Sequence, residues 1–450
     1  MDNPSAQSLV AQGDAARDGG DFETALTHYD QAIALALAHA PAHIGRACAL
    51  IELKRYPEAI ASCGRLLALT PSDAYVHNLL GFALMSLDYF ADAVANYDHA
   101  LALDSASADV WSDRAVALVH QHRLGEALTS YERARALKPD SADIQWNMAL
   151  LQLMRGDFET GWAGYESRWH TPYFAPIRRD FIAPLWLGDV PLAGKTILIH
   201  VEQGLGDFIL CVRYIAMLEA LGARVIIETA ASLVALTKTS YPHCTVIARG
   251  EALPPHDTHC PVMSLPHAFR TTLTSVPHRV PYLAADAEKT ARWQARLGPK
   301  TRPRIGIVWC GSPTHGNDHR RSIPLATLAP LLALPFEFHA LTPEFRAGER
   351  AAFIAHPLCH AHDGTLADFA DTAALAMAMD HIISVDTSVA HLAGALGLPL
   401  SLLLPHTPDY RWMLERLDSP WYPTARLYRQ PKTGDWPSAL AHVIEGLEHL

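Results

Sequence analysis

The sequence SVDTSVAHLAGALGLP, residues 384–399, decides the fold of the second half of the chain. A short apolar strand leads into Asp386, and the residues after it favour a helix that Thr387 or Ser388 can cap. The first free N–H groups of such a helix attract phosphate. His391 lies one turn after Thr387 on the same helical face, so both can contact one ligand. The stretch predicts a strand, a ligand-binding turn and a helix, although plain capping and a structural hydrogen bond would also suit these residues.

Apolar runs typical of buried strands recur on both sides of this stretch, with helical segments between them. They lie at residues 196–201, 224–228, 304–309, 336–341, 381–385 and 400–404. Strands that alternate with helices form parallel sheets, which bind ligands at the carboxyl ends of their strands. The sequence therefore predicts an α/β region of two Rossmann-like halves, residues 193–298 and 299–450.

The first 150 residues have a different composition from the rest. They hold 5 of the 31 prolines and a net charge of −9, whereas the remaining 300 residues have a net charge of −2. The whole chain of 450 residues has a net charge of −11, which argues against a basic nucleic-acid binder. Its seven cysteines have no paired spacing, no apolar run reaches the roughly 18 residues of a membrane span, and no signal-peptide pattern is visible. We expect a cytoplasmic protein without disulfides.

A period of 34 residues runs through this first part. Small residues keep the step at Ala25, Ala59, Ala93, Ala127 and Gly161, and a second small column stands at Gly13, Ala47, Gly81, Ala115 and Ala149. The pattern resembles the tetratricopeptide repeat, with about five copies over residues 5–170 and a linker at residues 171–192. The resemblance implies an α-solenoid whose groove recruits a protein, although an array of this kind can also serve only as a scaffold.

The groove differs from that of the peptide O-GlcNAc transferases, which carry an asparagine ladder in their repeats. The corresponding positions here are Ala11, Gly45, Leu79, Asp113 and Asn147. The ladder is therefore absent, and the acidic charge of the array favours a partner with a neutral or basic surface.

Two motifs of the second half resemble the heptosyltransferase-like glycosyltransferases. DTSVAHLAGALGLP, residues 386–399, is similar to their nucleotide-sugar motif, with Ser388 where the family has glycine, and GLGD, residues 204–207, matches their first loop. The chain also resembles bacterial proteins that join tetratricopeptide repeats to this module, including a flagellin glycosyltransferase. Further signatures of that type stand at residues 162–169, 202–207, 371–373 and 419–423.

The resemblance implies an α + α/β chain, a repeat solenoid followed by a GT-B fold, that moves a sugar from a nucleotide sugar to a hydroxyl of a protein such as flagellin. Asp207 is then the catalytic base of an inverting reaction and Arg321 its catalytic partner. The donor-binding residues are Gly204, Gly206, Gly311, Ser312, Arg320, Asp386, Thr387, Ser388 and His391. Arginines and a helix end can stabilise the departing diphosphate, so we expect neither a metal nor another cofactor.

Several alternatives stay open at this point. Asp207 is also well placed to cap the helix after it, and His200 and Glu202 are substitutes for the base. Arg411-Trp412 and Trp421-Tyr422 either cover a nucleobase or pack the last helix. The chain as a whole can instead be a non-catalytic scaffold with a vestigial nucleotide site, or an enzyme that acts on lipopolysaccharide-type glycans. A homo-oligomer is compatible with the sequence.

Overall fold

The computed structural model describes residues 5–447, which form two compact units. One unit runs to Leu151 and its described residues form helices without any strand, whereas the other begins at Gln152 and is an α/β unit. The division lies inside the stretch predicted as the fifth repeat, so residues 152–170 group with the α/β unit. The predicted borders of the linker and of the two halves stay predictions.

Helices of nearly constant length build the first unit, 13 residues in the odd-numbered ones and 14 in the even-numbered ones. They are α1 (Ala6–Asp18), α2 (Phe22–Leu35), α3 (Ala40–Glu52), α4 (Tyr56–Leu69), α5 (Ala74–Ser86), α6 (Phe90–Leu103), α7 (Ala108–His120), α8 (Leu124–Leu137) and α9 (Ala142–Met154), the last of which runs across the division. The helical repeat predicted from the 34-residue period is confirmed.

Close helix contacts explain the columns of small residues. Ala25, Ala59, Ala93 and Ala127 are completely buried. A Cβ on Gly13 would lie 2.6 Å from Cε1 of Tyr29, and a Cβ on Gly81 would lie 2.7 Å from Cε1 of Tyr97. The second helix of a repeat thus lays an aromatic ring on the backbone of the first, and there is no room for a side chain at these two glycines.

Two parallel sheets form the centre of the second unit. The first has the order β3-β2-β1-β4 and the second β10-β9-β8-β5-β6-β7. Their strands are β1 (Thr196–His200), β2 (Arg224–Thr229), β3 (Thr245–Ala248), β4 (Thr258–Pro261), β5 (Arg304–Val308), β6 (Glu337–Ala340), β7 (Cys359–His360), β8 (His381–Val385), β9 (Leu400–Leu404) and β10 (Ala425–Arg429). Every strand pair is parallel, as the sequence predicts.

Helices connect these strands and supply the remaining core. They are α10 (Phe158–Tyr165), α11 (Leu205–Cys211), α12 (Ile215–Ala220), α13 (Val234–Ser240), α14 (Leu265–Ala268), α15 (Ala287–Leu297), α16 (Asp318–Arg321), α17 (Ala329–Leu332), α18 (Glu349–Ile354), α19 (Phe369–Ala376), α20 (Ser388–Ala395) and α21 (Trp436–Leu447). Strands β1 and β8 each have a neighbour on both sides, and α11 and α20 follow their carboxyl ends.

Two local predictions need correction. The helical run expected from Phe208 to Leu221 is interrupted by a 3-10 turn at Val212–Tyr214, where the Nε of Arg213 donates to the Leu210 carbonyl at 2.8 Å. Neither hydroxyl expected to cap α20 does so. Thr387 occupies the N-cap position without a capping side-chain hydrogen bond, because its hydroxyl lies 3.2 Å from Oγ of Ser384 instead.

Candidate functional site

Asp207 lies in the first turn of α11, three residues after the N-cap Gly204. Its Oδ2 accepts a hydrogen bond from the Gly204 amide at 2.8 Å. The capping role that the sequence left open is therefore present in the structure. This bond fixes one oxygen of the carboxylate and leaves Oδ1 to other partners.

Oδ1 of Asp207 forms an ion pair with Nη2 of Arg411. Arg411 lies in the 3-10 turn Tyr410–Trp412, shortly after β9, and 10% of its side chain is exposed. Its Nη1 also contacts Oδ1 of Asp409 at 2.7 Å, and its guanidinium carbon lies 4.6 Å from the centre of the Tyr410 ring. A residue that the sequence placed only among possible covers of a base thus contacts the predicted catalytic carboxylate.

Asp386 follows β8, and its carboxylate is largely buried. Burial raises the pKa of Asp386 to about 6, and the Asp409 carboxylate adds to the rise, whereas Arg411 and Arg321 oppose it. Oδ1 of Asp386 lies 3.9 Å from Nε2 of His391. The charges of Asp409, Arg411 and Arg321 thus all act on the Asp386 carboxylate, just beyond the end of β8.

His391 is buried on α20 and is held on two sides. Its Nδ1 lies 2.8 Å from the hydroxyl of Tyr422, and its ring stacks on Trp412 with 5.3 Å between the centroids. Burial holds the pKa of His391 well below its usual value, and the Arg411 and Arg213 guanidinium groups act in the same direction. The imidazole is therefore neutral and has a fixed orientation.

Gly206 brings α11 directly against α20. A Cβ at this position would lie 2.7 Å from Cδ2 of His391 and 3.6 Å from the Cα of Ser388. Glycine is required here because two helices that follow different sheets approach each other closely. Through this contact the GLGD loop and the start of α20, which the sequence predicted as parts of one site, are brought together.

Arg321 reaches the same place from α16. Its Nη1 donates to the backbone carbonyl of Asp386 at 3.0 Å, and its guanidinium lies against Gly311, where an added Cβ would collide with it. Gly311 in turn donates its amide to Oγ of Ser322 at 3.1 Å, and Ser322 donates to Asp318 at 2.7 Å. The loop after β5 is thus positioned by a polar network beneath Arg321.

Two other predicted donor-binding residues lie in the loop after β5 and on α16. Ser312 is exposed, and its hydroxyl lies 2.8 Å from that of Thr314. Arg320 is half-buried at the end of α16, with its amide bonded to the Asn317 carbonyl at 3.1 Å. Their roles as donor-binding residues stay predictions, as do all the roles assigned from the motifs.

Some buried polar atoms at the site have no hydrogen-bond partner among the described residues. Three of them are Nε of Arg321, Nε of Arg411 and the hydroxyl of Tyr410. Buried donors are normally satisfied, so a cluster of unsatisfied ones marks a place where a ligand or water belongs. Arg321 bonds to the Asp386 carbonyl, and Tyr410 and Arg411 directly follow Asp409 in the chain.

An aromatic cluster supports the turn that carries Arg411. Trp162 of α10 contacts Tyr410 edge-on at 5.9 Å and Trp421 at 6.3 Å, and the hydroxyl of Tyr165 bonds to the Gln203 side chain. Trp421 and Tyr422 are both completely buried. The structure therefore favours packing over covering a base for these two residues, and α10 acts as a support for the site.

Arg213 and Arg168 are two buried arginines whose contacts the sequence did not predict. Arg213 donates to the carbonyls of Pro277 and Trp421 and to the hydroxyl of Tyr282, at 2.7 to 2.9 Å. Arg168 is fully buried and its Nη2 donates to Glu202 at 3.1 Å. Each also bonds to a residue two or three positions earlier in the chain, but the partners Trp421 and Glu202 are distant in sequence, so no local pattern predicts them.

The two substitutes for the base lie in different surroundings. Nε2 of His200 lies 3.2 Å from Nδ1 of His259, and burial holds the pKa of His200 well below its usual value. Burial also raises the pKa of Glu202 to about 7, although Arg168 opposes the rise. Oε1 of Glu202 bonds to the Met263 amide at 3.3 Å, so this carboxylate faces Arg168 and the α14 region.

Within residues 5–447 no group of three His, Cys, Asp or Glu side chains is arranged to hold a metal ion. In the same range, none of the helices is long and apolar enough to cross a membrane.

Comparison with known proteins identifies the repeats. A tetratricopeptide-repeat family matches residues 10–74, 79–142 and 114–160. Solved structures with similar helices include a thermophilic TPR protein from Thermus thermophilus, with 20% identity, 38% of this chain and 92% of that chain covered, and a TM-score of 0.34. MamA from Desulfovibrio magneticus has 14% identity, 39% and 97% coverage and a TM-score of 0.34.

Protein FlbA from Caulobacter vibrioides is a curated relative with 27% identity over 329 residues. The match covers 67% of this chain and 54% of FlbA, so the chain spans about half the length of that relative. A match over 67% of 450 residues is longer than the first unit, and the similarity therefore extends into the α/β unit. The chain thus carries tetratricopeptide repeats that precede a parallel α/β unit.

Proposed function

We propose that the chain is a glycosyltransferase, which moves a sugar from a nucleotide sugar to a hydroxyl of a protein recruited by the repeats. In this proposal the two sheets are the Rossmann-like halves of a GT-B fold, and the reaction takes place in the cytoplasm. Flagellin is the acceptor that the sequence resemblance suggests. The proposal assigns the donor to the place where the residues after β1 and β8 meet.

The contact between Gly206 and His391 is the observation that carries the proposal. Parallel sheets bind ligands beyond the carboxyl ends of their strands. Here the ends of two separate sheets converge, so that Asp207 and Asp386 both lie close to Arg411. A donor with a sugar on one side and a nucleotide on the other needs two such surfaces at once.

Positive charge is available for the departing diphosphate. The guanidinium of Arg321, which extends from α16, lies beside the start of α20, where its Nη1 donates to the Asp386 carbonyl. Each charge-assisted hydrogen bond to phosphate contributes about 1.5 to 3 kcal/mol. The N-terminus of α20 adds about 0.3 to 1 kcal/mol. These groups, together with Arg411, stabilise the charge that develops when the bond between sugar and phosphate breaks.

Asp207 is the proposed base. The acceptor oxygen forms a bond to the anomeric carbon while the bond from that carbon to the phosphate oxygen breaks, and its electron pair stays on the nucleoside diphosphate. The proton of the acceptor hydroxyl moves to Oδ1 of Asp207. Attack from the face opposite the phosphate inverts the anomeric centre, and a base of this kind contributes about 10²- to 10⁴-fold in rate.

Intact-mass measurement of acceptor proteins tests the proposal. The full chain is incubated with a panel of nucleotide sugars and candidate acceptors, and the addition of one sugar mass is expected, with Asp207→Asn slower by about 10²- to 10⁴-fold. Asp286→Asn is the matched control, since Asp286 caps α15 through the Lys289 amide at 2.8 Å and lies outside the site. If the chain neither transfers sugar to any acceptor nor hydrolyses any donor of the panel, the proposal is wrong.

A further inference from the structure

Arg411 is placed between carboxylates that it cannot all neutralise. It pairs with Oδ1 of Asp207 and with Asp409, and its charge also opposes the rise in the pKa of Asp386 that burial causes. Together with Arg321 the cluster has two guanidinium groups against three carboxylates. An incoming polyanion therefore meets a site in which the positive charge is already engaged by the protein.

The guanidinium of Arg411 nevertheless has an N–H donor that no described residue accepts from. Its Nε is buried without a partner among the described residues, and only 10% of the side chain is exposed. The Nη2 group is held by one oxygen of Asp207, whose other oxygen is fixed by the Gly204 amide. Because arginine has five N–H donors in a rigid fork, it can exchange one carboxylate for two phosphate oxygens.

We propose that Arg411 is a diphosphate-binding residue that stays paired with Asp207 until a diphosphate binds. A diphosphate bound beside Arg321 takes Nη2 of Arg411 away from Asp207, and Oδ1 of Asp207 becomes free to receive the proton of an acceptor hydroxyl. Binding of the donor thus exposes the base, and the donor binds before the acceptor reacts. This inference rests on the proposed function for the identity of the donor, but its anion-binding part stands on the geometry alone.

The exchange has a measurable consequence, because Asp207 competes with the diphosphate for Arg411. Removal of the Asp207 charge releases the guanidinium and tightens diphosphate binding. Asparagine at this position can still accept the Gly204 amide, so the cap of α11 is retained. Removal of Arg411 weakens binding, and the Asp207 substitution then loses most of its effect.

Calorimetric titration with inorganic pyrophosphate tests this in a double-mutant cycle on the full chain. We expect Arg411→Gln to weaken binding about tenfold or more and Asp207→Asn to tighten it by about three- to tenfold. In the Arg411→Gln background, Asp207→Asn should change the affinity by less than about twofold. Arg411→Lys, which keeps the charge but not the fork, should retain part of the affinity, and Asp286→Asn should bind as the wild-type chain does.

The possible outcomes separate the inference from the proposed function. If Asp207→Asn tightens pyrophosphate equally with and without Arg411, its effect is general electrostatics and the exchange is refuted. If Asp207→Asn weakens binding, or the wild-type chain does not bind pyrophosphate, the inference is also wrong, whatever the transfer assay shows. A positive cycle without sugar transfer leaves the exchange intact and removes the proposed function instead.

Discussion

Replacement of Gly206 by alanine tests the contact that brings α11 to α20. The added Cβ would lie 2.7 Å from Cδ2 of His391, about 0.7 Å short of the 3.4 Å at which ordinary contact begins. His391 has no space to retreat, because Tyr422 holds its Nδ1 at 2.8 Å and Trp412 stacks on its face. The strain must therefore appear as a shift of α11 and of the Asp207 carboxylate on it.

The magnitude follows from two opposing contributions. Overpacking of a rigid contact costs about 1 to 3 kcal/mol, whereas alanine in place of glycine stabilises a helix interior by up to about 1 kcal/mol. Gly206 lies in the first turn of a seven-residue helix, where the gain is smaller. We expect a net loss of about 1 to 2 kcal/mol in the unfolding free energy of the α/β unit.

Tryptophan fluorescence during urea unfolding measures this loss, because eight of the ten tryptophans lie after residue 151. Gly64→Ala is the matched control: Gly64 is exposed in α4 with nothing within 4 Å of an added Cβ, so alanine should stabilise the helical unit by about 0.5 to 1 kcal/mol. If Gly206→Ala is as stable as the wild-type chain and binds pyrophosphate equally well, α11 and α20 do not meet as described.

Three further substitutions test buried polar groups. Burial raises the pKa of Asp113 from 3.8 to about 7, so the free energy of unfolding falls as the pH rises between these values. Asp113→Asn should remove about 1 to 2 kcal/mol of that fall, as measured by urea titrations that are followed by circular dichroism. Burial raises the pKa of Glu202 from 4.5 to about 7, and Glu202→Gln should likewise flatten the pH dependence of the fluorescence-detected transition between those values. Tyr422→Phe leaves Nδ1 of His391 unpaired and should cost about 1 to 3 kcal/mol in the same transition, and an unchanged midpoint would show that the bond contributes nothing.

The repeats are predictable because their structural requirement is local and recurs. A tyrosine such as Tyr29 or Tyr97 needs a small residue 16 positions earlier, and the requirement returns with every helix pair. The fifth repeat shows where this reasoning ends. Its second helix, α10, keeps the column at Gly161, but it has only 8 residues and contributes Trp162 to the aromatic support in the α/β unit.

The strands that the sequence missed are short or lie at sheet edges. β7 has two residues, and β3 and β10 each have a neighbour on one side only, so no long apolar run is needed to bury them. β4 also lies at a sheet edge, and it ends in Pro261, a residue type that argues against a central strand. The central strands β1, β5, β8 and β9 are buried on both faces, and their continuous apolar runs therefore predict them.

The candidate site is predictable only where one segment supplies it. The turn after β8 and the GLGD loop are visible in the sequence because each combines a strand end with a helix start. The ion pair between Asp207 and Arg411 joins residues 204 positions apart, and no periodicity connects them. The sequence left Asp207 as either a helix cap or a base; the structure shows the cap, and the base role stays a proposal. Oδ2 caps the helix and fixes the carboxylate, while Oδ1 faces Arg411, so the two roles use different oxygens and the proposed base requires that Arg411 move away from Oδ1.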